Sequence, residues 1–487
     1  MYLLVVLYTL VLFYIFLYSI VQFSLLIFYL RSKKVDVKSI PLSNNYPMVT
    51  IQLPIYNEKY VVERLLDAVC LIDWPKDCFE IQILDDSNDQ TTQIIENKLL
   101  DFSNKGFNIK HLKRATRKGY KAGALAFGLS VSQGEYVAIF DSDFIPSPNF
   151  LQETIGHFKR ENVGVVQTKW SHLNAGFSLL TRLQSFGLNN HFTVEQKGRN
   201  HAGFFINFNG TAGVWRKSCI IDAGGWQSDT LTEDLDLSYR AQLKGWKFIY
   251  REDVDSPAEL PITIDALKNQ QFRWSKGAAE CARKNLLKVF KSKSLSILEK
   301  LNAFFHLTNS SMYLCMMILV FLAVPIVYVS LANPLFESYF LLTNIFVLSS
   351  CLLGATYFVA NFNRQTPVKS TLNFLFMFPL FLSVCMGIGL YVSYGVVQGY
   401  LGVKSEFVRT PKFNVINKFK PSKNVYGTSK LKPIFFIEIL LVVYSFFGIF
   451  YSYFHGNYSM LIFLLMILGG SVYSSLYSIR HALVKKV

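Results

Sequence analysis

Apolar residues dominate both ends of the chain, whereas the middle alternates short apolar runs with amphipathic stretches. Residues 1–30 form one nearly continuous apolar run that ends at a basic cluster, 31–34. A secretory signal peptide would have a basic start, a shorter apolar run and a small-residue cleavage site, and this run has none of them. We therefore expect residues 1–31 to be a retained transmembrane helix whose basic end faces the cytosol.

Further long apolar runs follow the middle of the chain, and each has the roughly 20 residues that cross a bilayer. They cover residues 307–331, 339–359, 373–401, 434–454 and 460–478. Lys and Arg occur in the loops 361–369 and 404–432 and in the tail, whereas the loops 332–337 and 455–458 contain neither. The basic loops are therefore expected in the cytosol and the other two outside.

These charges constrain the run 373–401, which lies between two loops that are both expected in the cytosol. Such a segment does not cross once, so we expect it to lie along the inner interface or to re-enter, as a helix broken at Pro379 and at its glycines. The prediction is then five spans, with the amino terminus outside and the carboxyl terminus inside, and a sixth true span is the alternative. The protein would be a multi-pass integral protein of an inner, plasma or Golgi-type membrane.

The middle of the chain has the pattern of a mostly parallel sheet with helices on both faces. Buried strands are predicted at 48–55, 79–84, 108–112, 136–140 and 164–168. Helices are predicted between them, at 61–72, 90–103, 123–132 and 148–159. Ligands of such sheets bind beyond the carboxyl ends of the strands. Acidic residues follow two of these ends, Asp85 and Asp86 after the second strand and Asp141 and Asp143 after the fourth.

Composition and charge narrow the class of protein. Of the 487 residues, 51% are hydrophobic and 17% charged, and Lys plus Arg exceed Asp plus Glu by 16. A soluble protein has about 25% charged residues. The basic residues cluster beside the apolar runs, which favours contact with the headgroups of a lipid bilayer over binding of nucleic acid. The basic stretch 284–293 and the apolar residues after it predict an amphipathic helix on the membrane surface. The seven cysteines form no CxxC pair, which indicates a reduced compartment and no zinc site.

Two acidic pairs have side chains suited to catalysis. Asp141 and Asp143 would provide hard oxygen ligands for Mg²⁺ or Mn²⁺ that bridges substrate phosphates, and the alternative is a helix cap or an Asx turn. Asp85 and Asp86 would accept hydrogen bonds from a nucleobase and a ribose, and here a helix cap is again the alternative.

Two later motifs precede or lie on predicted helices. Thr232, Glu233 and Asp234 fit either a capping box that Thr232 leads or a general base at Asp234. Gln270, Arg273 and Trp274 share one face of a predicted helix. A guanidinium matches a pyrophosphate and an indole stacks on a pyranose, while the alternative is a membrane-proximal helix with interfacial Trp and Arg.

Two glycine-containing stretches complete the motifs. Residues 208–211, with the sequence FNGT, are a polar break in an aromatic strand, which would let a backbone approach the acceptor or would be an ordinary bulge. Residues 118–123 place a cation and unhindered backbone before a helix, which favours phosphate binding. They are not a Walker A loop, because Gly-Lys-Ser/Thr is absent.

In this order and spacing the motifs resemble the D, DxD, TED and QxxRW series of the family 2 processive glycosyltransferases, the synthases of cellulose, hyaluronan and related polymers. The strings GYKAGAL at 119–125, HFTVEQ at 191–196 and FNGTAGVWR at 208–216 are similar to plant type A cellulose synthase-like proteins, a group that includes glucomannan 4-β-mannosyltransferases. The resemblance covers residues 47–290 closely. It implies an α/β GT-A (Rossmann-like) catalytic domain in the cytosol and an α-helical transmembrane bundle.

The predicted organisation combines this resemblance with the hydropathy pattern. It comprises a transmembrane helix (1–31), the GT-A domain (38–290), an amphipathic interface helix (291–306), two transmembrane helices (307–361), an interfacial or re-entrant helix (371–402), a gating-loop-like cytosolic segment (403–432) and two transmembrane helices (433–480).

The resemblance also implies roles for individual residues. The nucleotide sugar would be held by Tyr56, Glu58, Asp85, Asp86, Lys121 and Asp141, and the metal ion by Asp141 and Asp143. The catalytic residues would be Asp234 as the base, Glu233, and Arg273 on the pyrophosphate. The acceptor would contact Gln270, Trp274, Phe208, Asn209, Gly210 and Thr211. The family's FxVTxK gating loop would correspond to Phe407, Thr410 and Lys412, although Arg409 stands where the family has Val.

These observations predict an inverting hexosyltransferase, dependent on Mg²⁺ or Mn²⁺, that extends a β-linked glucan or mannan and exports it through its own helices. The donor, UDP-glucose or GDP-mannose, stays open. The alternative is a single-transfer enzyme that glycosylates a membrane lipid, as ceramide glucosyltransferases do. A transporter or receptor with an inactive domain is a third hypothesis, against which the intact carboxylates argue. The gate-like segment favours the polymer synthase over the glycolipid enzyme.

Overall fold

A computed structural model of the chain describes residues 1–32, 46–332, 339–340, 343–415, 434–458 and 460–483, and it contains a seven-stranded sheet in the order β3-β2-β1-β4-β6-β5-β7. The strands are β1 (Val49–Ile55), β2 (Phe79–Asp85), β3 (Ile109–Lys113), β4 (Tyr136–Ile139), β5 (Val163–His172), β6 (Gly213–Arg216) and β7 (Lys247–Ala258). The first four strands are parallel, as is β7 to β5, whereas β6 runs antiparallel to β4 and β5.

The five strands expected from the sequence are confirmed, and β6 and β7 are additional. The sequence did not predict β6 because this strand has only four residues. It did not predict β7 because charged residues interrupt most of that strand, which therefore has no long apolar run. The motif at 208–211 was expected to interrupt a strand, and this is wrong. It forms a loop that precedes β6, and Gly210 adopts a left-handed φ of 79° there.

Helices cover both faces of the sheet and continue into the apolar part of the chain. They are α1 (Tyr2–Arg31), α2 (Val62–Cys70), α3 (Thr91–Asn104), α4 (Tyr120–Ser130), α5 (Phe150–Ile155), α6 (Leu179–Asn190), α7 (Gln196–Ala202), α8 (Lys217–Asp222), α9 (Glu233–Leu243), α10 (Ile264–Lys291), α11 (Ile297–Leu307), α12 (Ser311–Ala332), α13 (Val347–Asn361), α14 (Pro367–Leu401), α15 (Ile434–Phe454) and α16 (Leu461–Leu483). A π-helical turn, His191–Glu195, joins α6 to α7.

Each face of the sheet packs against its own apolar layer. Ile51 and Leu53 of β1 pack with Leu65 of α2 on one face. Val137 and Ile139 of β4 pack with Leu125, Trp215 and other residues on the other face. Since successive strand residues point to opposite faces, both faces are buried, and the GT-A-like α/β class expected from the sequence is confirmed.

Five of the described helices are long and apolar enough to cross a membrane: Tyr2–Arg31, Ser311–Ala332, Pro367–Leu401, Phe435–Phe454 and Leu461–Arg480. The chain is therefore a multi-pass membrane protein, as predicted. Four of these five helices overlap predicted spans, and the fifth, Pro367–Leu401, contains the run that was expected at the interface. The remaining predicted span, 339–359, includes residues outside the described part of the chain, and its described residues contain a 3₁₀ turn (Asn344–Phe346) and most of the 15-residue α13.

Helix α14 corrects a second expectation. The run 373–401 was predicted to be broken, but α14 is one continuous helix of 35 residues with Pro379 inside it. Its glycines serve close packing instead of breaks. A Cβ at Gly387 would lie 2.1 Å from the carbonyl oxygen of Gly470 in α16, and one at Gly399 would lie 2.5 Å from that of Lys276 in α10. Helix α14 thus contacts both the α/β domain and the apolar helices.

Three other expectations concern the ends of helices and the cysteines. The amphipathic helix after the basic stretch is present as α11, where Ser296 and Glu299 form a capping box. All seven cysteines lie in the described residues, and none forms a disulfide. The part of the gating-loop-like segment at 416–432 and most of its lysines lie outside the described residues.

Candidate active site

A cavity of about 190 Å³ lies beyond the carboxyl ends of β1, β4 and β5, the edge where parallel sheets bind ligands. The start of α9, one side of α10 and the segment 403–415 enclose it. Most residues singled out in the sequence line this one cavity: Tyr56, Glu58, Asp86, Lys121, Asp141, Asp143, Asn209, Gly210, Glu233, Asp234, Gln270, Arg273, Trp274, Phe407, Thr410 and Lys412.

Three of the expected residues lie behind the cavity wall instead. The Asp85 carboxylate is buried and bound by His111, by Thr92 and by the backbone N–H of Ser87, so it anchors the turn after β2. Phe208 is fully buried against Trp215. The Thr211 hydroxyl is also buried and accepts the backbone N–H of Asp141 at 2.8 Å. Their expected ligand contacts are therefore not supported. The polar atoms of Asp85 and Thr211 bind other protein groups, and the Phe208 ring is enclosed by the core.

Asp141 and Asp143 follow β4 and face the cavity, each beside a lysine. Lys121 Nζ donates to Asp141 Oδ1 at 2.5 Å and to the carbonyl oxygen of Gly210 at 2.9 Å. Lys412 Nζ donates to Asp143 Oδ2 at 2.6 Å. In the described residues no group of three or more His, Cys, Asp or Glu side chains could hold a metal ion. Two carboxylates alone match the cations that take their other ligands from substrate phosphates and water.

Glu233 and Asp234 stand in the first turn of α9, where the helix dipole favours negative charge. Burial, followed by the charge of Glu233, raises the pKa of Asp234 to about 7, and burial also raises the pKa of Glu233. The capping box led by Thr232 is not formed, since the Thr232 side chain makes no cap hydrogen bond and contacts Cys281. Glu233 and Asp234 therefore line the cavity and stabilise the start of α9 without a capping box.

Gly210 packs against Asp234 more closely than any other residue type would allow. A Cβ at position 210 would lie 2.9 Å from Asp234 Oδ2. The left-handed backbone at this glycine and this close approach both exclude a side chain. The FNGT loop is thus shaped to bring its backbone beside the Asp234 carboxylate.

Helix α10 brings Gln270, Arg273 and Trp274 to the cavity, on one helical face as expected. Burial lowers the pKa of Arg273, and the charges of Glu233 and Asp141 oppose that fall. The Arg273 guanidinium lies over the Phe407 ring, 4.4 Å from its centroid. The Arg273 side chain and the acidic residues of the site therefore line the same cavity.

The segment 403–415 covers the cavity and is held there by ion pairs. Arg409 makes a bidentate contact with Glu58, at 2.8 and 3.1 Å. Burial raises the pKa of Glu58 to about 7, although Arg409 opposes the rise. The carboxylate of Glu259 accepts the backbone N–H groups of Phe413 and Val415 at 2.8 and 3.2 Å. Sequence reasoning missed Glu259 because it directly follows β7, a strand that the sequence did not predict.

Two arginines that sequence reasoning did not single out lie near the opposite end of the cavity: Arg117 lines it, and Arg114 contacts the lining residue Asp86. Arg117 lies over the Tyr56 ring, with its Cζ 3.4 Å from the centroid. Arg114 pairs with the Asp86 carboxylate, its Nε donating to Oδ1 at 3.0 Å. Both lie in the basic stretch 110–121, where the neighbouring lysines gave no reason to single out these two arginines.

Two protein-family models match the chain. The model of glycosyl transferase family 2 matches residues 50–220, and that of glycosyl transferase family group 2 matches residues 136–388, more than half of the chain.

Several curated plant proteins are similar to the chain. A probable glucomannan 4-beta-mannosyltransferase of Oryza sativa subsp. japonica is 36% identical over 405 residues, which cover 80% of this chain and 67% of that protein. A glucomannan 4-beta-mannosyltransferase of Arabidopsis thaliana is 44% identical over 263 residues, 53% of this chain and 47% of that protein. A second probable rice enzyme is 46% identical over 260 residues, 52% of this chain and 44% of its own length. The chain thus spans about half the length of several relatives that it matches.

A solved structure shows the same fold at low sequence identity. The mannosyltransferase from Pyrobaculum calidifontis, in complex with GDP-Man and Mn²⁺, superposes with a TM-score of 0.52 at 17% identity, covering 80% of this chain and 100% of that chain.

Proposed function

The chain belongs to glycosyl transferase family group 2, and from this premise we propose that it is a membrane-embedded, inverting mannosyltransferase that extends a β-linked polysaccharide from a nucleotide sugar, GDP-mannose. The names of the plant relatives support mannose as the transferred sugar. The one structural observation that carries the proposal is that Asp143, Asp234 and Arg273 line a single cavity.

The nucleotide would bind at the end of the cavity formed by Tyr56, Asp86 and Arg117. The stacked guanidinium and phenol offer a planar surface for a base, and Asp86 provides hydrogen-bond acceptors. Lys121 and Arg273 supply positive charge where the diphosphate would follow. The donor would therefore extend from the β1 and β2 ends toward Asp141.

A divalent cation, Mg²⁺ or Mn²⁺, would be held by Asp141 and Asp143. The hard oxygen donors of these two side chains fit such a cation and leave most of its ligand positions for phosphate oxygens. When bound, the cation neutralises charge that develops on the leaving diphosphate. Lys121 and Arg273 contribute to the same stabilisation from the protein side.

Transfer would be a single in-line displacement. The acceptor hydroxyl oxygen bonds to the anomeric carbon as the bond from that carbon to the diphosphate oxygen breaks. The hydroxyl proton passes to the Asp234 carboxylate, and the bonding pair leaves with the nucleoside diphosphate. Because attack comes from the face opposite the leaving group, the α-linked donor gives a β-linkage. An Asp234 pKa of about 7 suits a general base near neutral pH.

The acceptor would occupy the side of the cavity formed by Trp274, Gln270 and Asn209. An indole provides a face on which a pyranose stacks. The segment 403–415, through Phe407, Thr410 and Lys412, would act as a gate that closes over the bound donor, and its contacts with Glu58 and Asp143 support this role.

The test uses the purified full chain in lipid nanodiscs with labelled GDP-mannose and, separately, UDP-glucose. We expect a high-mass product from GDP-mannose that an endo-β-mannanase degrades. A glucan made only from UDP-glucose would overturn the choice of sugar. An organic-extractable glycolipid as the only product would replace the polymer synthase with the single-transfer alternative.

A further inference from the structure

The amide side chain of Gln167 holds the FNGT loop on both sides of Gly210. Gln167 lies in β5, is fully buried, and does not line the cavity. Its Oε1 accepts the backbone N–H of Asn209 at 3.0 Å. Its Nε2 donates to the carbonyl oxygens of Thr211 at 3.2 Å and of Ala212 at 2.9 Å. One side chain therefore fixes the residue before Gly210 and the two residues after it.

The orientation of this amide is determined by its surroundings. Besides the Thr211 and Ala212 carbonyls, that of Thr168 lies 2.9 Å from Nε2. Exchanging the nitrogen and the oxygen of the amide would place an acceptor against these three acceptors and a donor against the N–H of Asn209. The loop therefore requires a side chain that accepts at one atom and donates at the other, as an amide does.

The backbone conformation of the loop needs such support. Gly210 and Ala212 both have left-handed φ angles, of 79° and 54°. An L residue such as alanine adopts this conformation rarely, because its Cβ comes too close to the following carbonyl oxygen. The Ala212 carbonyl also accepts the hydroxyl and the backbone N–H of Thr168, at 2.7 and 3.1 Å. Hydrogen bonds from β5 therefore hold a conformation that local preferences disfavour.

The part of the loop between these anchors contacts charged groups of the site. The Gly210 carbonyl accepts from Lys121 Nζ at 2.9 Å, and the same ammonium group pairs with Asp141. A Cβ at Gly210 would lie 2.9 Å from Asp234 Oδ2, so the backbone passes close to this carboxylate. The Thr211 hydroxyl accepts the backbone N–H of Asp141. The loop therefore lies between a residue assigned to the cation and the residue assigned as the base.

We propose that Gln167 is a positioning residue for sugar transfer, which clamps the FNGT loop and thereby sets the placement of Lys121 and Asp234 in the cavity. This inference rests on the proposed function, because it takes Asp234 to be the base. Since Gln167 lies behind the cavity wall, it acts only through the loop. Misplacing a reacting group by about 1 Å can lower a rate about 100-fold. Loss of the clamp should therefore lower kcat and leave binding of the donor intact.

The first measurement is the initial rate of transfer from labelled GDP-mannose by the full chain in nanodiscs. Gln167→Leu removes both polar atoms, and we expect it to lower kcat about 100-fold while the KM for the donor stays within about twofold. Gln167→Glu keeps the acceptor for Asn209, and its carboxyl group, which burial keeps protonated, retains one donor. This conservative variant should lose only about tenfold in kcat.

The second measurement, hydrogen–deuterium exchange of the same proteins without substrate, reports on the loop itself. In Gln167→Leu the N–H of Asn209 loses its acceptor, so we expect the backbone amides of residues 206–212 to exchange about tenfold faster. Gln167→Glu should show a smaller increase. If Gln167→Leu does not fold, Gln167→Glu provides the same test.

Gln82 gives the matched control. It is an equally buried glutamine of the same sheet that does not line the cavity. Its Oε1 accepts from Gln52 at 3.0 Å, and its Nε2 donates to Glu80 at 3.3 Å, so both ends of its amide are engaged as in Gln167. Gln82→Leu should change neither kcat nor the exchange of the loop.

The two measurements separate this inference from the proposed function. In an active preparation, the inference is overturned if Gln167→Leu keeps the wild-type kcat, or if Gln82→Leu lowers kcat equally. If the wild-type chain transfers no sugar, the synthase assignment falls, and exchange alone decides about the clamp. Faster exchange confined to the Gln167 variants then supports the clamp, whereas a loop that exchanges as in the wild type overturns it.

Discussion

The most consequential property of a single residue is the raised pKa of Asp234. The carboxylate accepts a proton only when it is ionised, and burial together with Glu233 places its pKa at about 7. The active form is therefore complete above that pH and is lost as the pH falls through it. We expect the transfer rate to fall about tenfold for each unit of pH below about 7, and initial rates at saturating donor across this range would measure the effect.

Asp234→Asn provides the control for this prediction, because it keeps the shape of the side chain and removes the proton acceptor. General base catalysis contributes about 10²- to 10⁴-fold, so we expect the rate to fall by that amount and donor affinity to persist. A variant that retains both its turnover and the wild-type pH profile would exclude Asp234 as the base.

At the scale of single elements, the segment 403–415 covers the cavity and also places a lysine that would compete with a metal ion for Asp143. Lys412 Nζ contacts the Asp143 oxygen that a cation would take. Lys412→Met keeps the apolar stem but removes the competing charge. We therefore expect it to bind Mn²⁺ about tenfold more tightly in the absence of donor, measured by electron paramagnetic resonance of the free ion.

Lys404 lies in the same segment, is exposed, and gives the matched control. Lys404→Met makes the same change in net charge away from Asp143, so Mn²⁺ affinity should change little at physiological salt. Equal effects of the two variants would mean that Lys412 acts only through net charge.

At the scale of the whole molecule, a buried ion pair joins the α/β domain to the apolar helices. Lys268 of α10 donates to Glu438 of α15 at 2.7 Å and contacts Ser478 of α16. Both charged side chains are nearly inaccessible, at 8% and 0% exposure. Lys268→Met would leave a buried carboxylate unpaired. We expect a loss of about 3–5 kcal/mol in stability, measured by thermal unfolding of the full chain in detergent.

The double change Lys268→Met and Glu438→Leu should restore most of that stability, because it removes both charges. An exposed pair, Lys113 with Glu96 at 2.7 Å, is the comparison, and Lys113→Met should cost less than about 1 kcal/mol. If Lys268→Met is no more destabilising than Lys113→Met, the pair does not link the two parts of the protein.

The sequence alone determined those features that depend on local pattern. Buried strands such as β1 and β2 were predictable because continuous apolar runs of that length suit a sheet covered on both faces. The shared face of Gln270, Arg273 and Trp274 followed from helical periodicity. The acidic motifs could be identified as a set because they resemble an ordered family series, and the fold class followed from the same resemblance.

Only the tertiary structure decided which of those side chains face the cavity. Asp85 and Asp86 are adjacent, yet neighbours on a strand end point in opposite directions, so one anchors a turn and the other lines the site. Arg409 and Glu259 became part of the site through contacts between residues distant in the chain. The role of the glycines of α14 was not predictable for the same reason, because it depends on which helix packs closely against each of them. Local sequence encodes the period of an element, whereas the partner of each face is set by how the whole chain packs.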